Sequence, residues 1–175
     1  MTRLTAAAVF LLATMATPPC AHSAQMLQEG QQMPSFELVD HEGRTVRSSD
    51  LAGKRYLLWF YPKAMTPGCT VEAQGLRDNH AGLDKAGVIV LGVSFDDPAE
   101  NKRFVEAESL PFRLLSDKDR KLAVAVGAAD AADAGTARRI SYLVGPDGKV
   151  VKAYASVEPG THAAQVLADC GGGTT

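Results

Sequence analysis

The sequence is poor in cysteine, histidine and aromatic residues, with 3 Cys, 4 His and 6% Phe, Trp and Tyr among 175 residues. Three cysteines are too few for a small domain held together by disulfides, and no histidine pairs with a cysteine at zinc-site spacing. Acidic and basic residues nearly balance, 20 against 18, which excludes the basic surface of a nucleic-acid-binding protein. No apolar run reaches the roughly 20 residues of a membrane-spanning helix. A content of 46% hydrophobic and 22% charged residues is that of one globular domain.

The first 24 residues have the pattern of a secretory signal peptide. Arg3 provides a positive start, an apolar run follows over residues 6–16, and small residues precede position 25. We therefore predict that residues 1–24 are a cleaved signal peptide and that the protein is exported to a bacterial periplasm; without cleavage it stays in the cytoplasm. Lipid attachment at Cys20 is disfavoured, because Thr-Pro-Pro before it is a poor context, and we expect no stable membrane contact.

The remaining chain alternates between patterns typical of strands and of helices. We predict strands at residues 36–39, 45–47, 56–61, 88–95, 112–115, 140–144 and 150–154. We predict helices at residues 69–86, 99–108, 120–126 and 162–168. Crossover helices imply a parallel part of the sheet, and the Gly-Pro-Asp-Gly turn at 145–148 implies an antiparallel hairpin. The predicted fold class is α/β: a thioredoxin-like fold with a central mixed β-sheet flanked by helices and an N-terminal β-hairpin extension.

One domain, residues 27–168, accounts for these elements, and residues 169–175 are predicted to form a flexible tail. Several side chains are predicted to have no part in the chemistry. The aromatic residues of the central strand are expected in the core and the pocket wall: Trp59, Phe60 and Tyr61. Three histidines are expected to pack or to face solvent: His41, His80 and His162. Four acids are expected to be solvated loop charges: Asp117, Asp119, Asp130 and Asp133.

Cys69 lies where the sequence pattern favours a reactive thiol. It follows the predicted strand at 56–61 and stands in the first turn of a helix, where unpaired backbone N–H groups and the helix dipole favour a thiolate. Lowering the pKa of a thiol from about 8.5 to about 6 takes roughly 3.4 kcal/mol. A helix N-terminus supplies at most about 2 kcal/mol. A nearby cation must therefore supply the rest.

Arg139 is the candidate for this cation, because it immediately precedes a predicted strand that can bring its guanidinium beside the helix start. The adjacent Arg138 is the less favoured choice. Glu72 lies three residues after Cys69 on the same helix face and would hold the guanidinium in position. The alternatives are a surface role for Arg139 and a carboxylate at Glu72 that only complements the helix dipole.

Two further residues complete the candidate site. Thr66 lies three residues before Cys69, and its hydroxyl is placed to donate to the sulfur or to a bound oxygen; alternatively it only caps the helix. Pro62 would stiffen the loop and limit the access of water. A buried structural role for Cys69 itself is the disfavoured alternative, because Thr-Pro-Gly precedes it at a helix start.

The spacing Pro62-x-x-x-Thr66-x-x-Cys69 resembles the active-site signature of the peroxiredoxins. Residues 60–63, 66–70 and 72–73 are similar to the Q-type group, the bacterioferritin comigratory protein class of the thiol-specific antioxidant family. The Arg-Ile-Ser-Tyr sequence from Arg139 is similar to the Arg-x-Ser-Phe element of that family. The resemblance covers residues 27–167.

This resemblance implies a thioredoxin-like fold and a thiol-dependent peroxidase with Cys69 as its peroxidatic cysteine. Thr66 and Arg139 would contact thiolate and substrate, Pro62 would shield the pocket, and Glu72 would orient the arginine. The substrates would be hydrogen peroxide and organic hydroperoxides. Cys69 would become a sulfenic acid, recycled by thioredoxin or a similar thiol donor, with no metal or organic cofactor.

The sequence departs from much of the Q-type group at Gln74, where many members carry a resolving cysteine. Cys170 is the other cysteine of the predicted mature chain, and it either resolves Cys69, within or between chains, or is an incidental thiol. Otherwise an external thiol reduces Cys69 directly. The oligomeric state is expected to be monomer or dimer.

The alternative function is an exported thioredoxin-like redox sensor or thiol oxidoreductase without peroxidase turnover. A dithiol oxidoreductase needs a Cys-x-x-Cys pair, and Thr66 occupies the position three before Cys69. This alternative is therefore ranked below the peroxidase.

Overall fold

A computed structural model describes residues 25–171 as a seven-stranded sheet with helices on both faces. The strands are β1 (Glu37–Asp40), β2 (Thr45–Arg47), β3 (Arg55–Phe60), β4 (Val88–Ser94), β5 (Arg113–Ser116), β6 (Ile140–Val144) and β7 (Val150–Tyr154). The helices are α1 (Pro67–Asp78), α2 (His80–Lys85), α3 (Pro98–Glu108), α4 (Lys121–Ala125) and α5 (His162–Gly171). The predicted signal peptide lies outside the described residues.

The sheet is mixed, in the strand order β2-β1-β5-β4-β3-β6-β7. Strands β3, β4 and β5 are parallel, whereas β6 pairs antiparallel with β3 and β1 pairs antiparallel with β5. The β1–β2 hairpin lies at one edge and the β6–β7 hairpin at the other. This architecture confirms the predicted thioredoxin-like fold with its N-terminal hairpin.

The central strand β3 consists of apolar residues because both of its faces are covered. Tyr56, Leu58 and Phe60 pack into one core cluster, with α4 and the β1–β2 hairpin. Leu57 and Trp59 pack into the other, beneath α1, α2, α3 and α5. Trp59, Phe60 and Tyr61 are fully buried, which confirms their predicted place in the core.

The register of the sheet places the site. Phe60, the last residue of β3, pairs with Ile140, the first residue of β6. The loop that leaves β3 therefore lies beside the segment that enters β6, although nearly eighty positions separate them along the chain. Residue 139 is thereby brought to the start of α1.

The helix predicted at 69–86 is two helices, and it begins earlier, at Pro67. Proline suits the first helical position, because it has no N–H to leave unpaired there. The break falls at Asn79, whose side-chain amide donates to the carbonyl of Gly75 at 2.8 Å and ends α1. The Asn79 carbonyl in turn accepts the N–H of Leu83 in α2 at 3.1 Å.

Two further predictions are wrong. The last helix, α5, runs to Gly171 and not to residue 168, so Cys170 lies on a helix, while residues 172–175 of the predicted tail lie outside the described residues. Asp117 is fully buried and not a solvated loop charge. Its carboxylate accepts the N–H of Ala123 at 2.7 Å and so binds an otherwise unpaired donor in the first turn of α4. Between residues 25 and 171, no helix is both long and apolar enough to cross a membrane.

Candidate active site

Cys69 is the third residue of α1 and is fully buried. Thr66 precedes the helix with extended backbone angles, φ −83° and ψ 149°, and so acts as its N-cap residue. Met65 before it has a φ of 63°, a left-handed conformation that turns the loop sharply into the helix. The Cys69 thiol thus lies among the unpaired N–H groups of the first turn, where negative charge is favoured.

The Arg139 guanidinium lies directly against this thiol. Its Nη2 is 3.4 Å from Cys69 Sγ. The neighbouring Arg138 points elsewhere and binds both carboxylate oxygens of Asp130, at 2.6 and 2.7 Å. Of the two adjacent arginines, only Arg139 contacts Cys69.

Glu72 lies one turn along α1 from Cys69 and is fully buried. One of its oxygens, Oε2, binds Arg139 Nη1. The same guanidinium therefore contacts the carboxylate through one nitrogen and the sulfur through the other. Partial burial acts to lower the pKa of Arg139, but hydrogen bonds to Cys69 and Glu72 outweigh it and raise that pKa, so Arg139 stays a cation at neutral pH.

Thr66 and Pro62 lie in the loop between β3 and α1. The Thr66 hydroxyl donates to the carbonyl oxygen of Lys63 at 2.9 Å, and its side chain makes no capping hydrogen bond. Pro62 is half-buried directly after β3. The structure thus brings Cys69, Glu72 and Arg139 into contact, while the Thr66 hydroxyl points to its own loop.

Three residues of the site were missed in the sequence. Asp96 is buried after β4, and its carboxylate accepts the N–H of Ala64 at 2.8 Å, which holds the loop before α1. Gly68 leaves room for the guanidinium, since a Cβ there would be 3.2 Å from Arg139 Nη2. A glycine between Pro67 and Cys69 was the available signal for this close approach.

The third missed residue is His162, predicted to pack or to face solvent. It is fully buried at the start of α5, and its Nδ1 lies 2.9 Å from Glu72 Oε1. No local pattern distinguishes His162 from the other histidines, because α5 reaches Glu72 through tertiary packing.

Cys170 is half-buried near the far end of α5. Helix α5 begins at His162, beside Glu72, and then passes α2. The two helices are close there, because a Cβ added at Gly82 of α2 would be 3.2 Å from the Leu167 side chain of α5. Cys170 lies eight residues beyond His162, about 12 Å along the helix. A disulfide needs Cα atoms within about 7 Å, and the course of α5 from Glu72 past α2 leads Cys170 away from the start of α1, which disfavours pairing within one chain.

The chain matches known proteins over most of its length. The model of the AhpC/TSA family matches residues 30–153. Peroxiredoxin Bcp of Escherichia coli K12 is 44% identical over 146 residues, 81% of this chain and 94% of the relative. The crystal structure of peroxidoxin BcpB from Mycobacterium tuberculosis has a TM-score of 0.79 and 28% identity, and the match covers 85% of this chain and 99% of that chain. A structure of the Xanthomonas campestris bacterioferritin comigratory protein, described for its alkyl peroxide reduction activity, has a TM-score of 0.72 and 31% identity, over 78% of this chain and 90% of that one.

The chain therefore belongs to the AhpC/TSA family, the peroxiredoxins, and is a thiol-dependent peroxidase. Within that family it groups with the Q-type, or bacterioferritin comigratory, peroxiredoxins. The predicted family and enzyme class are confirmed. Among residues 25–171, no group of three His, Cys, Asp or Glu side chains could hold a metal ion.

Proposed function

We propose that Cys69 is the peroxidatic nucleophile and that Arg139 stabilises the charge that moves from sulfur to oxygen. The 3.4 Å contact between Arg139 Nη2 and Cys69 Sγ carries this proposal. The first helical turn and the fixed guanidinium place unpaired N–H donors and a cation beside the sulfur, where they stabilise negative charge.

In the proposed reaction the Cys69 thiolate attacks one oxygen of the peroxide. An S–O bond forms while the O–O bond breaks, and the sulfur supplies the two electrons. The leaving oxygen takes up a proton and departs as water or an alcohol. Cys69 is left as a sulfenic acid.

The other residues of the site serve this step. Glu72 holds the guanidinium through Nη1 while Nη2 contacts the sulfur, so that little reorganisation is needed as charge develops. The Thr66 hydroxyl rotates from the Lys63 carbonyl to donate to a peroxide oxygen. Pro62 limits the access of water to the sulfur.

The proposed substrates are hydrogen peroxide and organic hydroperoxides, and the reductant is thioredoxin or a similar thiol. The Xanthomonas relative, with its alkyl peroxide reduction activity, supports the organic substrates. One reductant thiol displaces water from the sulfenic acid to form a mixed disulfide, and a second thiol releases Cys69. Because Cys69 is fully buried, a protein reductant must act when the first turn of α1 opens.

Cys170 is not the proposed resolving thiol within one chain, because α5 leads it away from the start of α1, where Cys69 lies. Gln74 occupies the position of the resolving cysteine of many Q-type members. We therefore propose a one-cysteine cycle, with the chain acting as a monomer or dimer.

The test compares Cys69→Ser with Cys170→Ser in a peroxide-consumption assay with a dithiol or thioredoxin as reductant. Cys69→Ser is expected to abolish turnover while circular dichroism stays unchanged, whereas Cys170→Ser keeps turnover near the wild-type rate. Undiminished turnover in Cys69→Ser would refute the assignment. Peptide mass spectrometry of peroxide-treated protein should show a sulfenic acid at residue 69, and a disulfide between residues 69 and 170 would refute the one-cysteine cycle.

We further propose that residues 1–24 direct export and are cleaved. The charged start, the apolar run and the small residues before position 25 support this, and the family match begins only at residue 30. Fractionation of a bacterium that expresses the full chain should yield a periplasmic protein with its N-terminus near residue 25. Full-length protein confined to the cytoplasm would refute export.

A further inference from the structure

Glu72 is the centre of a buried chain of side chains that extends beyond the residues used above. Its Oε2 binds Arg139, which contacts Cys69 at 3.4 Å. Its other oxygen, Oε1, lies 2.9 Å from His162 Nδ1. The side chains of Glu72 and His162 both have no exposed surface. Glu72 thus contacts a nitrogen base through one oxygen and the guanidinium through the other.

The imidazole is held by packing. His162 begins α5, and its ring packs edge-on against Tyr154 of β7, with 5.4 Å between ring centroids and 75° between planes. The docking of α5 on α1 is close, since a Cβ at Gly75 would be 3.9 Å from Ala163. The ring therefore has a fixed position relative to the Glu72 carboxylate.

The contact between ring and carboxylate is close but not a straight hydrogen bond. Within the described residues, neither ring nitrogen of His162 has a hydrogen-bond partner in good alignment, and neither has Glu72 Oε1. Buried polar atoms without partners cost stability, whereas an apolar side chain of similar size avoids that cost. Stability alone therefore does not account for an imidazole at this position.

We infer that His162 is a positioning residue for the peroxidase, acting through Glu72 and Arg139 on Cys69. This inference rests on the proposed role of Cys69. The imidazole places Nδ1 2.9 Å from Glu72 Oε1 as the polar neighbour of that oxygen, so the carboxylate keeps Oε2 on Arg139. The guanidinium then keeps its other nitrogen on the sulfur. Without His162, Oε1 is buried without a neighbouring nitrogen, so the carboxylate rotates away from its present position and releases Arg139.

Three substitutions separate this role from simple packing. In His162→Asn, the side-chain amide places a nitrogen near the position of Nδ1; in His162→Gln it lies near that of Nε2. His162→Leu keeps much of the volume without a polar atom. The control is the same Asn and Gln pair at His80, whose ring stacks on Phe112 at 6.1 Å and has no contact with the site.

The measurement is the second-order rate constant for Cys69 oxidation by hydrogen peroxide, between about pH 5.5 and 9. His162→Gln and His162→Leu should lower the rate constant about 10- to 100-fold, since displacement of the guanidinium disrupts the reacting geometry. His162→Asn should stay within about threefold of wild type, and the His80 variants should be unchanged. The melting temperature of each variant is measured in parallel, so that the rate constants are compared per folded molecule.

The shape of the pH profile distinguishes positioning from structure. Glu72 of α1 and Tyr154 of β7 are the titratable groups that face the imidazole. Burial raises the pKa of Tyr154 far above this range, so Tyr154 does not ionise during the experiment. The Gln and Leu variants should therefore have profiles of altered shape, whereas a folding defect lowers the rate in proportion to the folded fraction.

The inference is overturned if Gln and Leu at position 162 keep the wild-type rate and profile. It is also overturned if Asn loses as much activity as Gln, or if the losses follow the fraction unfolded. Should His162→Leu fail to fold, the comparison of Asn with Gln still decides. A parallel Cys69→Ser sample separates the two proposals. If Cys69→Ser still consumes peroxide, the proposed role of Cys69 is wrong. If Cys69→Ser is inactive while His162→Gln is fully active, only the inference about His162 is wrong.

Discussion

The two thiols at opposite ends of one helical layer differ in almost every property that sets thiol chemistry. Cys69 is the third residue of α1, at the positive end of a helix dipole, and Cys170 is in the last turn of α5, at the negative end. Cys69 lies 3.4 Å from the Arg139 guanidinium. Burial raises the pKa of Cys170; the Arg55 cation opposes this, and the neighbouring Asp169 carboxylate adds a smaller increase.

The comparison shows that placement, and not residue type, makes a cysteine reactive. Both thiols pack against the same core cluster, so apolar surroundings alone do not distinguish them. The difference lies in the helix end and in direct contact with a cation. Cys69 has the unpaired N–H groups of a first turn and a guanidinium at 3.4 Å, whereas Cys170 has the unpaired carbonyls of a last turn, and burial raises its pKa despite the opposing effect of Arg55.

Removal of the Arg139 cation should remove most of the difference in reactivity between Cys69 and Cys170. Arg139→Gln is expected to lower the rate constant for Cys69 oxidation by hydrogen peroxide by about 100-fold or more, as does the loss of one donor at a developing negative charge. Arg138→Gln, which breaks the pair with Asp130, is the matched control and should leave the rate within about threefold of wild type. Stopped-flow tryptophan fluorescence measures both. Equal effects of the two substitutions would contradict the role of Arg139.

Alkylation of Cys170 tests the prediction that this second thiol is unreactive at neutral pH. Because only the thiolate reacts and the pKa of Cys170 is raised, its alkylation by iodoacetamide should be slow at neutral pH. The rate should increase about tenfold per pH unit up to about pH 9. Mass spectrometry of the peptide that contains residue 170 follows the reaction. A rate that levels off near pH 7 would mean that burial does not govern the reactivity of this thiol.

Gly68→Ala tests how precisely the guanidinium must be placed, and we expect it to lower the rate less than Arg139→Gln does. The added Cβ would be 3.2 Å from Arg139 Nη2, so the guanidinium must shift by a few tenths of an ångström. The peroxide rate constant should fall about three- to tenfold, although alanine in a helix adds up to about 1 kcal/mol to the free energy of unfolding. Gly75→Ala, in the same helix with neighbours no closer than 3.8 Å, should gain stability without losing rate. If both variants keep the wild-type rate, close approach at Gly68 is not required.

Much of the fold follows from local patterns. The apolar run of β3 and the Gly-Pro-Asp-Gly turn before β7 were predicted close to their observed bounds, because strand burial and turn preferences act over a few residues. The break at Asn79 was missed, since the periodicity of residues 69–86 is continuous and one side-chain amide ends α1. The buried Asp117 was missed for a similar reason, because its partners are backbone N–H groups of α4.

The residues of the candidate site also differ in whether they could be predicted from local sequence patterns. Cys69 and Glu72 were selected from one helical turn, where spacing alone places both side chains on one face. Arg139 required the additional assumption that its strand lies beside β3, and the resemblance to the peroxiredoxins supported that choice. His162 was predicted to have no part in the chemistry, because its contact with Glu72 depends on how α5 packs against α1, which no nearby residue indicates.

The amino-acid sequence by itself determined a thiol at the start of a helix directly after a buried strand, with a carboxylate one turn further on. Helix capping, helix dipoles and hydrophobic periodicity act within one or two turns, so they can be recognised from the sequence alone. The tertiary structure decided which of two adjacent arginines meets the sulfur, which histidine lies against the carboxylate and how far apart the two thiols are. These depend on strand register and helix docking, in which residues far apart along the chain come together as the core packs on both faces of one sheet.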